Sequence, residues 1–263
     1  MPSRPVIALL TDFGLSDHYV GVMKGVIAGV CPEALTIDVT HDVPPQDVRT
    51  AAFELSAAWP YFPAGTVFLV VVDPGVGTSR RGVAARVGER FVVGPDNGVF
   101  DLVLSAGGPA SGVELTNREY SLPAMSSTFE GRDRFAPAAA WLARGVALAD
   151  LGSPVELMVR QSWPEPHVFA DRVAGEVVHV DRFGNLITNF DRGTWSALVE
   201  ASRVRVAGCP EARLVRTYDD GADGELVALF GSTGRLEIAV VRGSAAALLG
   251  AGRGVQVHVS RAA

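Results

Sequence analysis

The chain has 263 residues, of which 48% are hydrophobic and 20% charged, with a formal net charge of −6. That balance supports a sizeable core in one large domain or two modest ones and excludes a disordered chain. No basic cluster exceeds Arg80-Arg81, so nucleic acid is not an expected partner.

Met1-Pro2-Ser3-Arg4 runs directly into Val6-Ile7-Ala8-Leu9-Leu10, a buried strand ending at Thr11-Asp12-Phe13-Gly14. No signal peptide and no membrane span of about 20 apolar residues is expected there or elsewhere. Cys31 and Cys209 are far apart in sequence and suit a reducing, cytoplasmic compartment. Asp17 is placed to cap a helix carrying Tyr19, Val20, Met23, Val26 and Ile27 at helical spacing. Leu35–Val39 is a second strand, 47–59 a second helix, and Thr66–Val72 a third, β-branched strand. Gly82–Val87 and Arg90–Val93 follow as strands, the second reaching the turn Gly94-Pro95-Asp96-Asn97-Gly98, and a helix is predicted over 135–148. The alternation implies an α/β domain over 1–161 with a mostly parallel sheet covered by helices.

The prolines of 162–169 suit a stiff linker. From 170 to 263 strand-like runs dominate: 175–180, 203–206, 226–230, 236–241 and 255–259. Turn signals separate them, with short helices at 194–199 and 245–249, so a small, mostly antiparallel, all-β barrel or sandwich is expected. The glycine-rich stretch 107–112 reads as a loop.

The third strand delivers Asp73 to its C-terminal edge, where ligands bind in open α/β sheets. Pro74, Gly75 and Gly77 then turn the chain, and Arg80 and Arg81 follow. These residues make either a reaction centre or a tight turn closed by an ordinary Asp–Arg pair. Asp12 either accepts the two hydroxyls of a ribose or caps the next helix. In Thr128-Phe129-Glu130-Gly131-Arg132-Asp133, Asp133 is placed as an N-cap, Arg132 is free for a carboxylate, and Glu130 faces a pocket or solvent. Asp181-Arg182-Phe183-Gly184-Asn185 and Gly231-Ser232-Thr233-Gly234 read as turns by residue type. The turns 41–46 and 94–98 read as structural. The five histidines show no metal-ligand spacing.

Taken in order, Thr11–Gly14, His41–Gln46, Val72–Arg81, Gly94–Gly98, Thr128–Pro137, Asp181–Asn189 and Gly231–Ala247 resemble the S-adenosyl-L-methionine hydroxide adenosyltransferases, relatives of the fluorinase and chlorinase. The resemblance spans nearly the whole chain. It implies hydrolysis of S-adenosyl-L-methionine to adenosine and methionine without a cofactor. It also implies a homotrimer in which the β-barrel domain of one subunit completes the site of its neighbour. By the same resemblance Asp12 holds the ribose diol and Phe129 lines the ribose pocket. Asp73 and Arg80 match two members of an Asp–Arg–His set that activates water. Asp181 and Asn185 grip the methionine and adenine ends, and Ser232 contacts the amino-acid moiety.

One position departs: the hydrolases of the family carry histidine where this chain has Glu130. Glu130 then replaces the histidine as base or water acceptor, neutralises Arg80 and leaves a weakly active binder, or points away. The halogenating relatives resemble this chain but place tyrosine at positions 73 and 130, and the fluorinase places serine at 131. Two carboxylates there repel a halide, so halogenation is not expected.

Overall fold

A computed structural model of the chain describes residues 4–106, 110–156, 158–200, 202–206 and 208–261. The chain divides into two units, Met1–Gln161 and Ser162–Ala263.

The first unit runs β1 (Val6–Thr11), α1 (Tyr19–Val30), β2 (Leu35–Thr40), α2 (Val48–Ala58), β3 (Val67–Val71), β4 (Gly82–Val87), β5 (Arg90–Pro95), α3 (Asp101–Ala106), β6 (Ala110–Glu114), α4 (Ala136–Ala143) and β7 (Ser153–Val155). Its sheet has the order β2-β1-β3-β5-β4-β6-β7. The pairs β1–β2, β1–β3 and β3–β5 are parallel. Beyond β5 the pairs β4–β5, β4–β6 and β6–β7 are antiparallel, so the sheet is mixed. All of β3 is buried, which is why its sequence shows an unbroken apolar run rather than alternation.

Met23 and Ile27 of α1 pack with Ala139 and Leu142 of α4 in one core cluster, while Ala51 and Leu55 of α2 pack with Val103 of α3 in another. With α1 and α2 in different layers and β2 and β3 on opposite sides of β1, the strand order switches direction between β1 and β3. The carboxyl ends of two such strands flank a crevice suited to a ligand.

Local details differ from the sequence expectation. Asp17 does not cap α1; His18 precedes the helix without a side-chain cap. Asp47 does cap α2, accepting the Thr50 N–H. Asp133 is not an N-cap but lies inside a π-helical turn, Gly131–Phe135, that leads into α4. α4 stops at Ala143, and two residues on Gly145 has φ +97°, a conformation that ends helices. Of the expected loop 107–112, residues 107–109 lie outside the described residues and 110–112 belong to β6.

The second unit runs β8 (His167–Val168), β9 (Arg172–Val180), β10 (Leu186–Asp191), α5 (Arg192–Glu200), β11 (Ser202–Val206), β12 (Glu211–Leu214), β13 (Leu226–Phe230), β14 (Arg235–Val240), α6 (Ala245–Leu249) and β15 (Gln256–Arg261). The strands lie in the order β10-β14-β13-β12-β11-β15-β9-β8, and β10 also pairs with β9. That pairing closes the ring as a barrel, with β8 outside it on β9. Every neighbour in the ring is antiparallel except β12–β13. Val177, Phe190, Leu236 and Val257 fill the core with Val199 of α5 and Ala245 of α6. Closure leaves no free edge in the ring, which protects short strands from pairing with other chains.

Candidate active site

A cavity of about 250 Å³ opens where the crevice between β1 and β3 is expected, lined by residues that include Asp12, Gln46, Asp73, Phe129, Glu130 and Gly131. Four residues singled out from the sequence, Asp12, Asp73, Phe129 and Glu130, therefore share one cleft.

Asp73 follows β3, and the turn after it is built from backbone bonds: Val76 N–H to Asp73 O at 3.2 Å and Thr78 N–H to Gly75 O at 3.2 Å. Gly77 has φ +78°, and a Cβ there would lie 2.8 Å from Ser127 O, so both conformation and space require glycine. The turn brings Arg80 back over Asp73. Arg80 Nε donates to Asp73 Oδ1 at 2.9 Å and Nη2 donates to Asp73 Oδ2, a bidentate fork. The same Nη2 donates to Glu130 Oε2 at 2.8 Å, and Nη1 donates to Arg81 O at 3.1 Å. Arg134 Nη1 lies 3.7 Å from Glu130 Oε2.

The side chains of Asp73, Arg80 and Glu130 are 5%, 10% and 12% exposed, so these charges interact with little screening by water. Burial pushes the Arg80 guanidinium down, but its bonds and charges with Asp73 and Glu130 outweigh that and hold it above the ordinary arginine value. Glu130 thus faces the cleft and meets Arg80. Its Oε1 has no protein partner among the described residues.

Asp12 Oδ2 accepts the Gln46 N–H at 2.7 Å. Phe129 packs edge-on to Phe13 and Tyr19, with ring centroids 5.9 and 5.2 Å apart. Arg132 does pair with a carboxylate, that of its buried neighbour: its Nε donates to Asp133 Oδ1 at 2.5 Å. Asp133 Oδ2 also accepts the Ser126 N–H at 2.6 Å, so the pair holds the loop that carries Thr128 and Phe129.

In the second unit Asp181 organises the turn between β9 and β10. Its Oδ1 accepts the N–H groups of Phe183 and Asn185 at 2.9 Å each, and its Oδ2 accepts Asn185 Nδ2 at 2.9 Å. Ser232 lies in the exposed turn between β13 and β14. Two residues not singled out from the sequence stand near these. Tyr218 donates its hydroxyl to the buried Glu237, and a Cβ at Gly231 would lie 2.3 Å from Glu237 Oε2. Burial, with a smaller push from Asp181, holds the Glu237 carboxyl above the ordinary range despite the Tyr218 bond. The 41–46 turn reads as structural by residue type, yet Pro45 and Gln46 line the cleft. Their place after a parallel strand neighbouring β1 was the available signal. Among the described residues, no group of three or more His, Cys, Asp or Glu is arranged to hold a metal ion. No helix among them is long and apolar enough to cross a membrane.

The fold and cleft define an α/β unit with an acid–arginine–acid centre at its sheet edge, followed by a closed β-barrel. Residues 7–152 match the SAM hydroxide adenosyltransferase N-terminal domain and residues 175–258 its C-terminal domain. The chain is 44% identical over 263 residues to an (R)-S-adenosyl-L-methionine hydrolase from Salinispora tropica, covering 99% of each. An enzyme of the same name from Thermus thermophilus is 43% identical, over 97% of this chain and 99% of that one. A fluorinase from Nocardia brasiliensis is more distant, at 30% identity over 72% of each chain. The crystal structure of an uncharacterized conserved protein from Thermotoga maritima superposes with a TM-score of 0.92 at 40% identity, covering 97% of this chain and all of that one. The chain belongs to the SAM hydroxide adenosyltransferase family.

Proposed function

We propose that this protein hydrolyses S-adenosyl-L-methionine, in the (R) sulfonium form named for its relatives, to adenosine and methionine. The observation that carries this reading is the Asp73–Arg80–Glu130 centre in a cleft that Asp12 also lines. Water attacks the ribose C5′ in line with the sulfur; the C5′–O bond forms as the C5′–S bond breaks, and the bonding pair leaves on sulfur. The sulfonium becomes a neutral thioether, so no general acid is needed.

The nucleophile is the difficult partner. Arg80 stays charged and stabilises a nascent hydroxide rather than taking its proton. Asp73 locks the guanidinium by its two bonds. Both cations near Glu130 fall on Oε2, leaving Oε1 to accept the proton that the attacking water gives up as the C5′–O bond forms, and to pass it later to solvent. Holding water and C5′ in line inside a closed site can contribute about 7–11 kcal/mol in well-oriented systems. Asp12 holds the ribose diol and Phe129 walls the ribose.

We infer that the protein works as a homotrimer in the cytoplasm. In it, Asp181, Asn185 and Ser232 of one subunit complete the cleft of the next at the methionine and adenine ends. Ligand pockets commonly enclose about 300–1,000 Å³; a cleft of about 250 Å³ supports a site that takes further walls from elsewhere.

The test is incubation with each sulfonium epimer, followed by chromatography. Adenosine and methionine should appear in equal amounts, and added chloride or fluoride should yield no halogenated nucleoside. Failure to form adenosine above a heat-killed control after long incubation refutes the activity.

A further inference from the structure

Gln46 and Arg242 are the non-glycine residues with positive φ among the described residues, and Gln46, at +67°, lies on the wall of the cleft. A side chain in the left-handed region is costly and persists where surrounding structure enforces it, often at functional sites. Here the enforcing contacts are visible. Asp47 N–H reaches back to Pro44 O at 3.0 Å, and Val48 N–H takes Gln46 O at 3.0 Å as α2 begins. The carbonyl of Gln46 is thereby tied to the helix start, while its N–H is aimed at Asp12 Oδ2, 2.7 Å away.

The loop is also laced to the end of β1. Gly14 N–H donates to His41 O at 2.8 Å, Thr11 Oγ1 lies 2.9 Å from His41 Nδ1, and Phe13 N–H donates to Thr11 Oγ1 at 3.2 Å. The backbone on both sides of Asp12 is therefore fixed against 41–46. The carboxylate itself receives one bond, on one oxygen, and Oδ1 has no protein partner among the described residues. A carboxylate held by one oxygen has its free lone pairs pointed in a set direction; a freely rotating one does not.

We propose that Gln46 is a positioning residue that sets ribose specificity. Its left-handed backbone aims an N–H that fixes the Asp12 carboxylate, so that the diol meets a pre-set acceptor. This rests on the reading of Asp12 as the diol acceptor and assigns no contact to the Gln46 side chain. The role belongs to a backbone conformation, so glycine should preserve it and a β-branched residue should not.

Calorimetric binding of adenosine and of 2′,3′-dideoxyadenosine to the full-length protein tests this without reliance on turnover. The wild type should prefer adenosine. Gln46→Val, disfavoured in the left-handed region, should lose about tenfold of that preference, with dideoxyadenosine binding changed less than about twofold. Gln46→Gly should keep the preference. Gln46 is exposed, so both variants should fold, and thermal melts of each check it. If Gln46→Val keeps the full preference, or Gln46→Gly loses as much as valine, the positioning role is overturned. If Asp12→Ala retains the preference, the reading of Asp12 fails instead. Adding Gln46→Val to Asp12→Ala should cost no further preference; an additional tenfold loss would also overturn the proposal.

Discussion

Glu130 Oε2 accepts a 2.8 Å hydrogen bond from Arg80 Nη2, across 50 residues of sequence. Glu130, at the position where the resemblance implies histidine, is therefore tied to the guanidinium of the proposed centre. If its free oxygen accepts from the attacking water, Glu130→Gln should lower kcat by about 10²–10⁴, the usual contribution of a general base. Glu130→His should keep or raise turnover near neutral pH, because imidazole has a reference pKa of about 6.5 against about 4.3 for glutamate. Steady-state kinetics of both variants decide. Acceleration by glutamine would mean that the charge hampers Arg80, and unchanged kinetics in both would remove Glu130 from the chemistry.

Arg80 also has a structural load, since it separates two largely buried carboxylates. Arg80→Met should destabilise the protein by about 3–5 kcal/mol, the usual result of removing one partner from a buried ion pair. Glu130→Gln in the same chain should restore part of that loss by deleting one of the stranded charges. Urea unfolding of wild type, both single variants and the double variant measures the coupling, and strict additivity would contradict the contact as an energetic one.

The proposed shared site makes a complementation prediction. Asp12→Ala and Asp181→Ala proteins should each be nearly inactive alone. Unfolded together and refolded, they should form mixed trimers in which one site joins an intact first unit to an intact second unit. Partial recovery of adenosine release, with light scattering at the mass of three chains, is the expected result. A monomer at assay concentration, or no recovery from trimers shown to be mixed, would count against the shared site.

Glu237 gives a pH dependence of stability. Its folded pKa is raised, chiefly by burial, so the native state keeps a proton that the unfolded chain has already released. Stability from this group is therefore fullest below the unfolded value of about 4.3 and falls as pH rises through the raised folded value. Glu237→Gln keeps an acceptor for Tyr218 and removes the buried charge. It should raise Tm at pH 7–8, and the gain should shrink towards pH 4. Thermal melts across that range check the slope; a gain independent of pH would show that burial of charge is not the cause.

Much of this protein is legible in its sequence because periodicity reports local burial. The apolar run 66–72 specifies β3, and β13 and α6 fall at 226–230 and 245–249 as read. The order of short motifs along the chain marks the family, since each turn needs particular residues at fixed spacing. β10 escaped because the buried polar residues Thr188 and Asn189 break its apolar run, and β12 because it has only four residues. Tertiary structure alone decided what meets across distance. Periodicity left Glu130 facing pocket or solvent, and only the packing of the 131–135 turn beside β3 brought it to Arg80. The 41–46 turn looked structural because a left-handed glutamine has no sequence signature. Its N–H finds Asp12, 34 residues earlier, only because two parallel strands end at the same edge of one sheet.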